Sequence, residues 1–218
     1  MALSKLTYNS LNVTPTASKG IGFDSGADDL AATFAGGDMT FIKKLTASSS
    51  SNLSFVDGAS DVVLDNTYKE YLFTFKSLHV SASSTELRFQ ASTDTGSSYG
   101  VATTTSAFMA EQGESDDPSL GYRTGSDHAQ DTGTIQLSEN FGNDNDQSGS
   151  GYMLLFNPSS TTFVKHFIVE TNSSHSGDYA DHSFKAGYVN TTSAVDAIQF
   201  SMGSGNIDAG DICLYGIN

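Results

Sequence analysis

The residues best suited to hold a cation lie in one short acidic loop. Gly142 and Gly149 flank the segment Asn-Asp-Asn-Asp-Gln-Ser at positions 143–148. Calcium prefers several oxygen ligands, and Asp144, Asp146 and Ser148 offer them at alternate positions. The loop lacks the later glutamate that completes an EF-hand. We therefore predict Asp144 and Asp146 as the calcium ligands if the chain has a cation site, with a solvated turn as the alternative.

A second group of ionisable residues comprises His175, Asp178 and His182. A transition-metal site needs ligands that converge on one point, and a catalytic triad needs a nucleophile, a base and an orienting group within reach. If residues 179–189 form a strand, His182 shares a face with Phe184, and His175 stays in the preceding loop. This arrangement favours histidines at the surface or at a subunit interface over a metal or catalytic site.

The sequence contains none of the common catalytic signatures. No glycine-rich phosphate loop joins a strand to a helix, and no nucleophile elbow or paired Cys/His ligand set is present. Paired carboxylates for glycoside hydrolysis stay open, although the absence of tryptophan argues against a sugar-cleaving cleft. We predict a protein that is not an enzyme, without catalytic residues and without a cofactor other than the calcium considered above.

The charge balance argues against nucleic acid and membranes as partners. The 25 acidic residues outnumber 10 lysines and arginines, for a net charge of −15. Such a surface repels phosphate backbones and anionic lipid headgroups. The longest apolar run, residues 152–156, is far shorter than the roughly 20 residues that cross a bilayer, and residues 1–5 do not resemble a secretory signal. We expect a soluble protein made in a cytoplasm, without a disulfide because Cys213 is the sole cysteine.

From about Met39 onward, short apolar runs alternate with polar tracts, as in a protein built of strands. Strands are predicted near 41–45, 53–55, 71–76, 87–89, 101–108, 134–137, 152–156, 163–169, 179–189, 198–202 and 212–215. The continuous apolar run at 152–156 predicts a central strand buried on both faces. Residues 111–130 are too weakly patterned to assign. The spacing predicts an all-β fold, an antiparallel β-sandwich of jelly-roll-like arrangement over residues 39–218.

Residues 1–38 differ in pattern from the rest of the chain. Their apolar residues follow no sustained period, and a glycine-rich stretch at 20–37 follows Pro15. A segment of this kind cannot bury much apolar surface by itself. We predict an extended N-terminal arm that anchors the sandwich to a neighbouring subunit or to another protein, with a frayed terminus as the alternative.

Six segments carry a resemblance to known proteins: LTYNS at 6–10, GYRTGSD at 121–127, LFNPSSTTFVKHF at 155–167, HSGDY at 175–179, GNIDAG at 205–210 and LYGI at 214–217. They resemble structural proteins of marine tailed bacteriophages, a group of capsid decoration, fibre and appendage proteins. The resemblance implies a non-enzymatic virion component, assembled in the host cytoplasm, whose arm contacts other virion proteins. The apolar residues of the arm predict a homo-oligomer. The resemblance alone favours a trimer, and it brings no catalytic motif.

Two other functions compete with a structural role. A carbohydrate-binding β-sandwich would recognise host surface glycans through a solvent-facing groove lined by tyrosines, with Tyr68, Tyr71, Tyr99, Tyr122 and Tyr152 as the candidates. Burial of these tyrosines in the core would remove the basis for that function. Jelly rolls support lectin function, but fold analogy alone is weak evidence for it. The third function, a polysaccharide-degrading enzyme, has the weakest support.

Overall fold

The computed structural model describes residues 39–218 and, before them, the backbone of two short strands. These are β1 (Gly22–Phe23) and β2 (Leu30–Ala31), which pair antiparallel with each other. The predicted N-terminal arm otherwise lies outside the described residues, so the arm and its anchoring role stay predictions.

Thirteen strands follow from Met39 to the end of the chain. They are β3 (Met39–Thr46), β4 (Asn52–Val56), β5 (Glu70–Val80), β6 (Leu87–Ser92), β7 (Thr103–Gly113), β8 (Asp117–Tyr122), β9 (Ala129–Asp131), β10 (Ile135–Gln136), β11 (Gly149–Phe156), β12 (Lys165–Ser174), β13 (Tyr179–Val189), β14 (Ala197–Met202) and β15 (Ile207–Ile217). Residues 39–218 contain no helix. The predicted all-β class is confirmed.

The thirteen strands form two antiparallel sheets. The larger has the order β3-β15-β5-β11-β12-β13-β7-β8, and β9 also pairs with β7. The smaller has the order β10-β6-β14-β4. The chain crosses repeatedly from one sheet to the other, so strands that are consecutive in sequence are often not neighbours in a sheet. The predicted antiparallel sandwich is confirmed, and its core lies between the two sheets.

Phenylalanine rings fill the space between the sheets. Phe200 of β14 packs edge-to-face against Phe73 and Phe75 of β5, with ring centroids 5.4 and 5.2 Å away. Phe89 of β6 packs in the same way on Phe167 of β12, at 5.0 Å. Edge-to-face pairs add about 0.5–1.5 kcal/mol each to the stabilisation from area burial. Each of these rings points inward from its sheet. The alternation of side chains along the strands therefore places the phenylalanines in the core.

The segment left unassigned from sequence contains a hairpin. Strand β7 continues to Gly113, and β8 pairs back along it with Phe108 opposite Tyr122. The hydrophobic pattern fails here because the inward side chain at position 111 is a glutamate, which forms an ion pair with Arg123 (Oε2 to Nη2, 2.6 Å). Backbone pairing to a long neighbouring strand therefore determines the structure, and side-chain alternation does not reveal it.

The prediction for the run at 152–156 is half right. Strand β11 does lie in the middle of the larger sheet, between β5 and β12. Met153 and Leu155 are fully buried on the inner face, whereas Tyr152, Leu154 and Phe156 remain partly exposed on the opposite face. The prediction of burial on both faces is wrong for this chain alone, because the smaller sheet covers only one side of β11.

The strand predicted from residue 163 begins two residues later. Strand β12 starts at Lys165, and Phe163 lies in the preceding loop with 68% of its surface exposed. Lys165 is fully buried, and its ammonium donates hydrogen bonds to the carbonyls of Phe163 and Thr191, each at 3.1 Å. A lysine at an inward position thus takes the place that the alternating pattern assigns to an apolar residue.

Candidate functional site: the outer face of the large sheet

Two neighbouring rows of side chains cross the surface of the larger sheet that points away from the smaller one. The first row runs across β8, β7, β13, β12 and β11 and consists of Tyr122, Phe108, Phe184, Glu170 and Tyr152. The second runs from β7 to β3 and consists of Ser106, Ala186, Ile168, Leu154, Leu72, Tyr215 and Phe41. We call these twelve residues the outer face.

The outer face leaves large apolar side chains in contact with solvent. Phe108 and Ile168 are each 46% exposed, and Tyr122 and Phe41 are each 55% exposed. Single exposed apolar residues are ordinary on any protein surface, but a contiguous set marks a site of interaction. The outer face is such a set, because strand register places its members side by side.

The outer face has a shallow depression of about 190 Å³ where β7, β13 and β12 adjoin. Phe108, Ile168 and Phe184 line it, and the short side chain of Ala186 lies among them. The rings of Phe108 and Phe184 stack with centroids 4.8 Å apart and planes 12° from parallel. The His182 ring also packs against Phe184, with the two ring centroids 4.1 Å apart. These ring–ring contacts hold the aromatic side chains in position on the outer face.

The carboxylate on this face is fully engaged. Glu170 accepts a hydrogen bond from the Tyr152 hydroxyl through Oε2 (2.7 Å), and its Oε1 lies 2.8 Å from His182 Nε2. These hydrogen bonds, that of Tyr152 most strongly, lower the pKa of Glu170 below its ordinary value. The same contact raises the pKa of Tyr152. The acidic group is thus fixed in place by its neighbours.

A buried polar cluster lies on the opposite, inward side of β13. Asp181, Ser183 and Lys185 alternate along that side, and Asp181 and Lys185 are only 1% and 3% exposed. Lys185 Nζ lies 3.9 Å from Glu139 Oε1, which also accepts a hydrogen bond from the Ser126 hydroxyl at 2.5 Å. Within the described residues, both Asp181 carboxylate oxygens, Ser183 Oγ and Lys185 Nζ have no hydrogen-bond partner.

Burial shifts both ionisable groups of β13 toward their neutral forms. It raises the pKa of Asp181 to about 7, and repulsion from Glu111 and Glu139 acts in the same direction. It lowers the pKa of Lys185 to about 8, against the attraction of Glu139. Sequence reasoning missed this cluster because an alternating stretch with Phe184 on one side and charges on the other is expected to bury the phenylalanine.

The loop predicted to bind calcium is organised by Gln147. Its Oε1 accepts a hydrogen bond from the Asp144 amide at 3.1 Å, and its Nε2 donates to the His175 carbonyl at 3.2 Å. Asp144, Asp146 and Ser148 line a groove of about 520 Å³ that Glu114 and Asp178 also line. Across residues 39–218, no three or more His, Cys, Asp or Glu side chains are grouped to hold a metal ion. The calcium site at Asp144 and Asp146 stays a prediction.

The structure separates the His175, Asp178 and His182 group. His175 and Asp178 lie in the turn before β13, where His175 Nδ1 accepts a hydrogen bond from the Gly177 amide at 2.7 Å. His182 contacts Glu170 on the outer face. Burial lowers the pKa of His175, which favours its neutral form. Each histidine has a local structural contact of its own.

The five tyrosines proposed for a glycan groove lie in different places. Tyr71 is fully buried, and Tyr68 packs against the core with its ring centroid 5.9 Å from that of Tyr71. Tyr99 is partly buried near Gly96. Tyr122 and Tyr152 both lie on the outer face, with β7, β13 and β12 between them. The five do not line one groove.

Comparisons with known proteins add no assignment. The chain matches no protein-family model, no curated protein and no solved structure. In the part of the chain that the structure describes, no helix is long and apolar enough to span a bilayer.

Proposed function

We propose that this chain is a non-enzymatic structural component of a bacteriophage particle, exposed on the capsid or tail, which assembles through the outer face of its larger sheet. The observation that carries the proposal is the pair of apolar rows on that face. The resemblance of six segments to structural proteins of marine tailed phages supports the virion location. Neither a reaction nor a cofactor enters the proposal.

The energetic argument concerns the area that the outer face leaves in water. Complete burial of a large apolar side chain contributes about 1.5–3 kcal/mol. Phe41, Phe108, Tyr122 and Ile168 are each about half exposed, so covering all four would contribute several kcal/mol toward association. Association also costs translational and rotational freedom, so the whole face must take part.

Recognition of host surface glycans is the second candidate, because the outer face combines aromatic and carboxylate groups. The Tyr122 hydroxyl donates to Asp127 Oδ2 at 2.8 Å, and Glu170 lies in the same row. Sugar binding by stacking, however, needs free ring faces. Phe108 and Phe184 stack on each other and His182 packs against Phe184, so part of the ring surface is already used, and this favours a protein partner.

The proposed function is tested on particles of the virus that encodes the chain. Mass spectrometry of purified, salt-washed particles should find the protein in many copies, and a density map should place the sandwich on the capsid or tail surface. Its absence from washed particles would overturn the proposal. A glycan array probed with the purified protein provides the second arm, and selective binding that Tyr122→Ser abolishes would favour glycan recognition instead.

A further inference from the structure

We infer that the outer face is covered by the outer face of a second copy of this chain. This inference rests on the proposed function, since it names the partner that the assembly surface takes. It makes the larger sheets of two sandwiches pack face to face about a twofold axis.

The distribution of charge favours a second copy over a basic or acidic partner. The whole chain carries a net charge of −15, so two copies repel each other over most surfaces. Glu170 is the one charged residue among the twelve of the outer face, and both its oxygens already have partners. Two copies can therefore approach through this face without placing unpaired like charges opposite each other, whereas a basic partner would be drawn to the acidic surface elsewhere.

The outer face supplies about half of the area that a specific dimer needs. Its twelve outward positions each occupy about 4.8 Å by about 6.8 Å of the sheet, which gives about 400 Å² for each copy. Each partner buries roughly 800 Å² in a standard interface. Outward side chains beside the two rows, such as Phe156, must therefore be buried in the dimer as well.

The shape of the outer face is suited to pairing with itself. Ile168 borders the depression, which is lined on its other sides by Phe108 and Phe184. A twofold axis beside Ile168 places the isoleucine of each copy against the depression of the other, which is the self-complementary arrangement that such an axis requires. Sheets that pack in this way lie about 10 Å apart, with the side chains of the two faces interdigitated.

The same arrangement accounts for the composition of β11. Its continuous apolar run is typical of a strand buried on both faces, yet the fold buries only Met153 and Leu155. A second copy against the outer face would cover Leu154 and Tyr152 as well. The sequence of the strand is then explained by the dimer and not by the single chain.

The test compares two phenylalanine substitutions in the full chain by sedimentation velocity over a range of protein concentrations. Phe108→Ser removes a ring that lines the depression, and Phe163→Ser removes a ring that is more exposed (68% against 46%) but lies outside both rows. We expect a dimer for the unmodified chain and for Phe163→Ser. Phe108→Ser should weaken self-association about tenfold or more, as does truncation at the centre of an interface. Thermal unfolding of both variants establishes that they fold, and Ile168→Lys should weaken association as Phe108→Ser does.

A monomer at all concentrations would overturn the inference, as would a dimer that Phe108→Ser and Ile168→Lys leave intact. A trimer, the state that the resemblance favours, would also contradict face-to-face pairing, because a closed ring of three uses contacts between two different surfaces. The protein could also be a monomer in which deletion of residues 1–38 speeds hydrogen exchange of the outer-face amides. That result would show that the chain's own N-terminal segment covers the outer face, and it would overturn the inference. A monomeric protein found in washed particles refutes only the dimer, and a dimer absent from particles refutes only the proposed function.

Discussion

Asp181 and Lys185 point from the same side of β13 into the interior of the sandwich, and neither side chain has a hydrogen-bond partner among the described residues. Burial of an ionised group without such partners costs several kcal/mol, so each group is shifted toward its neutral form. The two pKa shifts have opposite signs and therefore act on stability in different pH ranges.

Replacement of Asp181 by asparagine should stabilise the fold at neutral pH. Burial raises the pKa of Asp181 from 3.8 to about 7. The folded state therefore favours the protonated carboxyl. The stability that this preference contributes is fully present below about pH 4 and is lost as the pH rises to about 7. We expect the unfolding free energy of Asp181→Asn, relative to the unmodified chain, to rise over this range by at most about 4 kcal/mol. Urea unfolding at pH 4.5 and 8 measures the difference, and a difference independent of pH would contradict the explanation.

Replacement of Lys185 by methionine should act in the alkaline range. Burial lowers the pKa of this lysine from 10.5 to about 8. The stability it contributes is present above pH 10.5 and is lost as the pH falls to about 8. Lys185→Met should therefore be more stable than the unmodified chain at pH 7, by at most about 3 kcal/mol, and this advantage should shrink between pH 8 and 10.5. Lys44→Met is the control, because the side chain of Lys44 is 51% exposed and its ion pair with Asp211 should contribute little.

The polar cluster also shows what sequence reasoning could and could not recover. Alternation in residues 179–189 correctly placed His182 and Phe184 on one face and predicted a strand there. It could not tell which face points inward, because both a phenylalanine and a lysine can be buried once neighbouring segments supply polar groups such as Glu139 and Ser126. A period-2 pattern therefore predicts that a segment is a strand more reliably than it predicts which face of that strand is buried.

The outer face could be predicted only in part, for a related reason. The apolar run at 152–156 does indicate demand for burial on both sides of β11. Register across five strands, which brings Tyr122, Phe108 and Phe184 into line with Glu170 and Tyr152, follows from the order of strands in the sheet. That order depends on long-range pairing, which no local pattern in the chain contains.

The aromatic core should be sensitive to truncation at Phe200. This ring is fully buried and packs against Phe55, Phe73 and Phe75. Phe200→Ala removes the shared neighbour of these rings and leaves a cavity between the two sheets, so we expect a loss of about 3–5 kcal/mol of unfolding free energy. Phe163→Ala is the matched control and should change stability by less than about 0.5 kcal/mol. Similar losses in the two variants would show that the core is not where the rings meet.

Glycine at position 142 should be required for the order of the 143–148 loop. A Cβ at this position would lie 1.7 Å from Gln147 Oε1, so the Gln147 side chain would have to move and release the Asp144 amide and the His175 carbonyl. Gly142→Ala should cost about 1–3 kcal/mol, because two part-buried hydrogen bonds worth about 0.5–1.5 kcal/mol each would be lost. Gly125→Ala, whose Cβ would meet nothing within 4 Å, should be close to neutral. Thermal unfolding distinguishes the two, and equal melting temperatures would contradict the role of Gln147.

Removal of residues 1–38 should separate folding from assembly into the particle. Residues 39–218 contain both sheets and the buried hydrophobic cluster that joins them. A protein that starts at Met39 should therefore unfold cooperatively with a β-sheet circular dichroism spectrum.

The predicted role of the N-terminal segment is anchoring, by pairing along the edge of a neighbouring sheet. We therefore expect the shortened protein to be missing from particles that assemble in its presence, while a tagged full-length chain made at the same level is incorporated. Normal incorporation of the shortened protein would refute the anchoring role. Failure of the shortened protein to fold would instead show that residues 1–38 are needed for the stability of the sandwich.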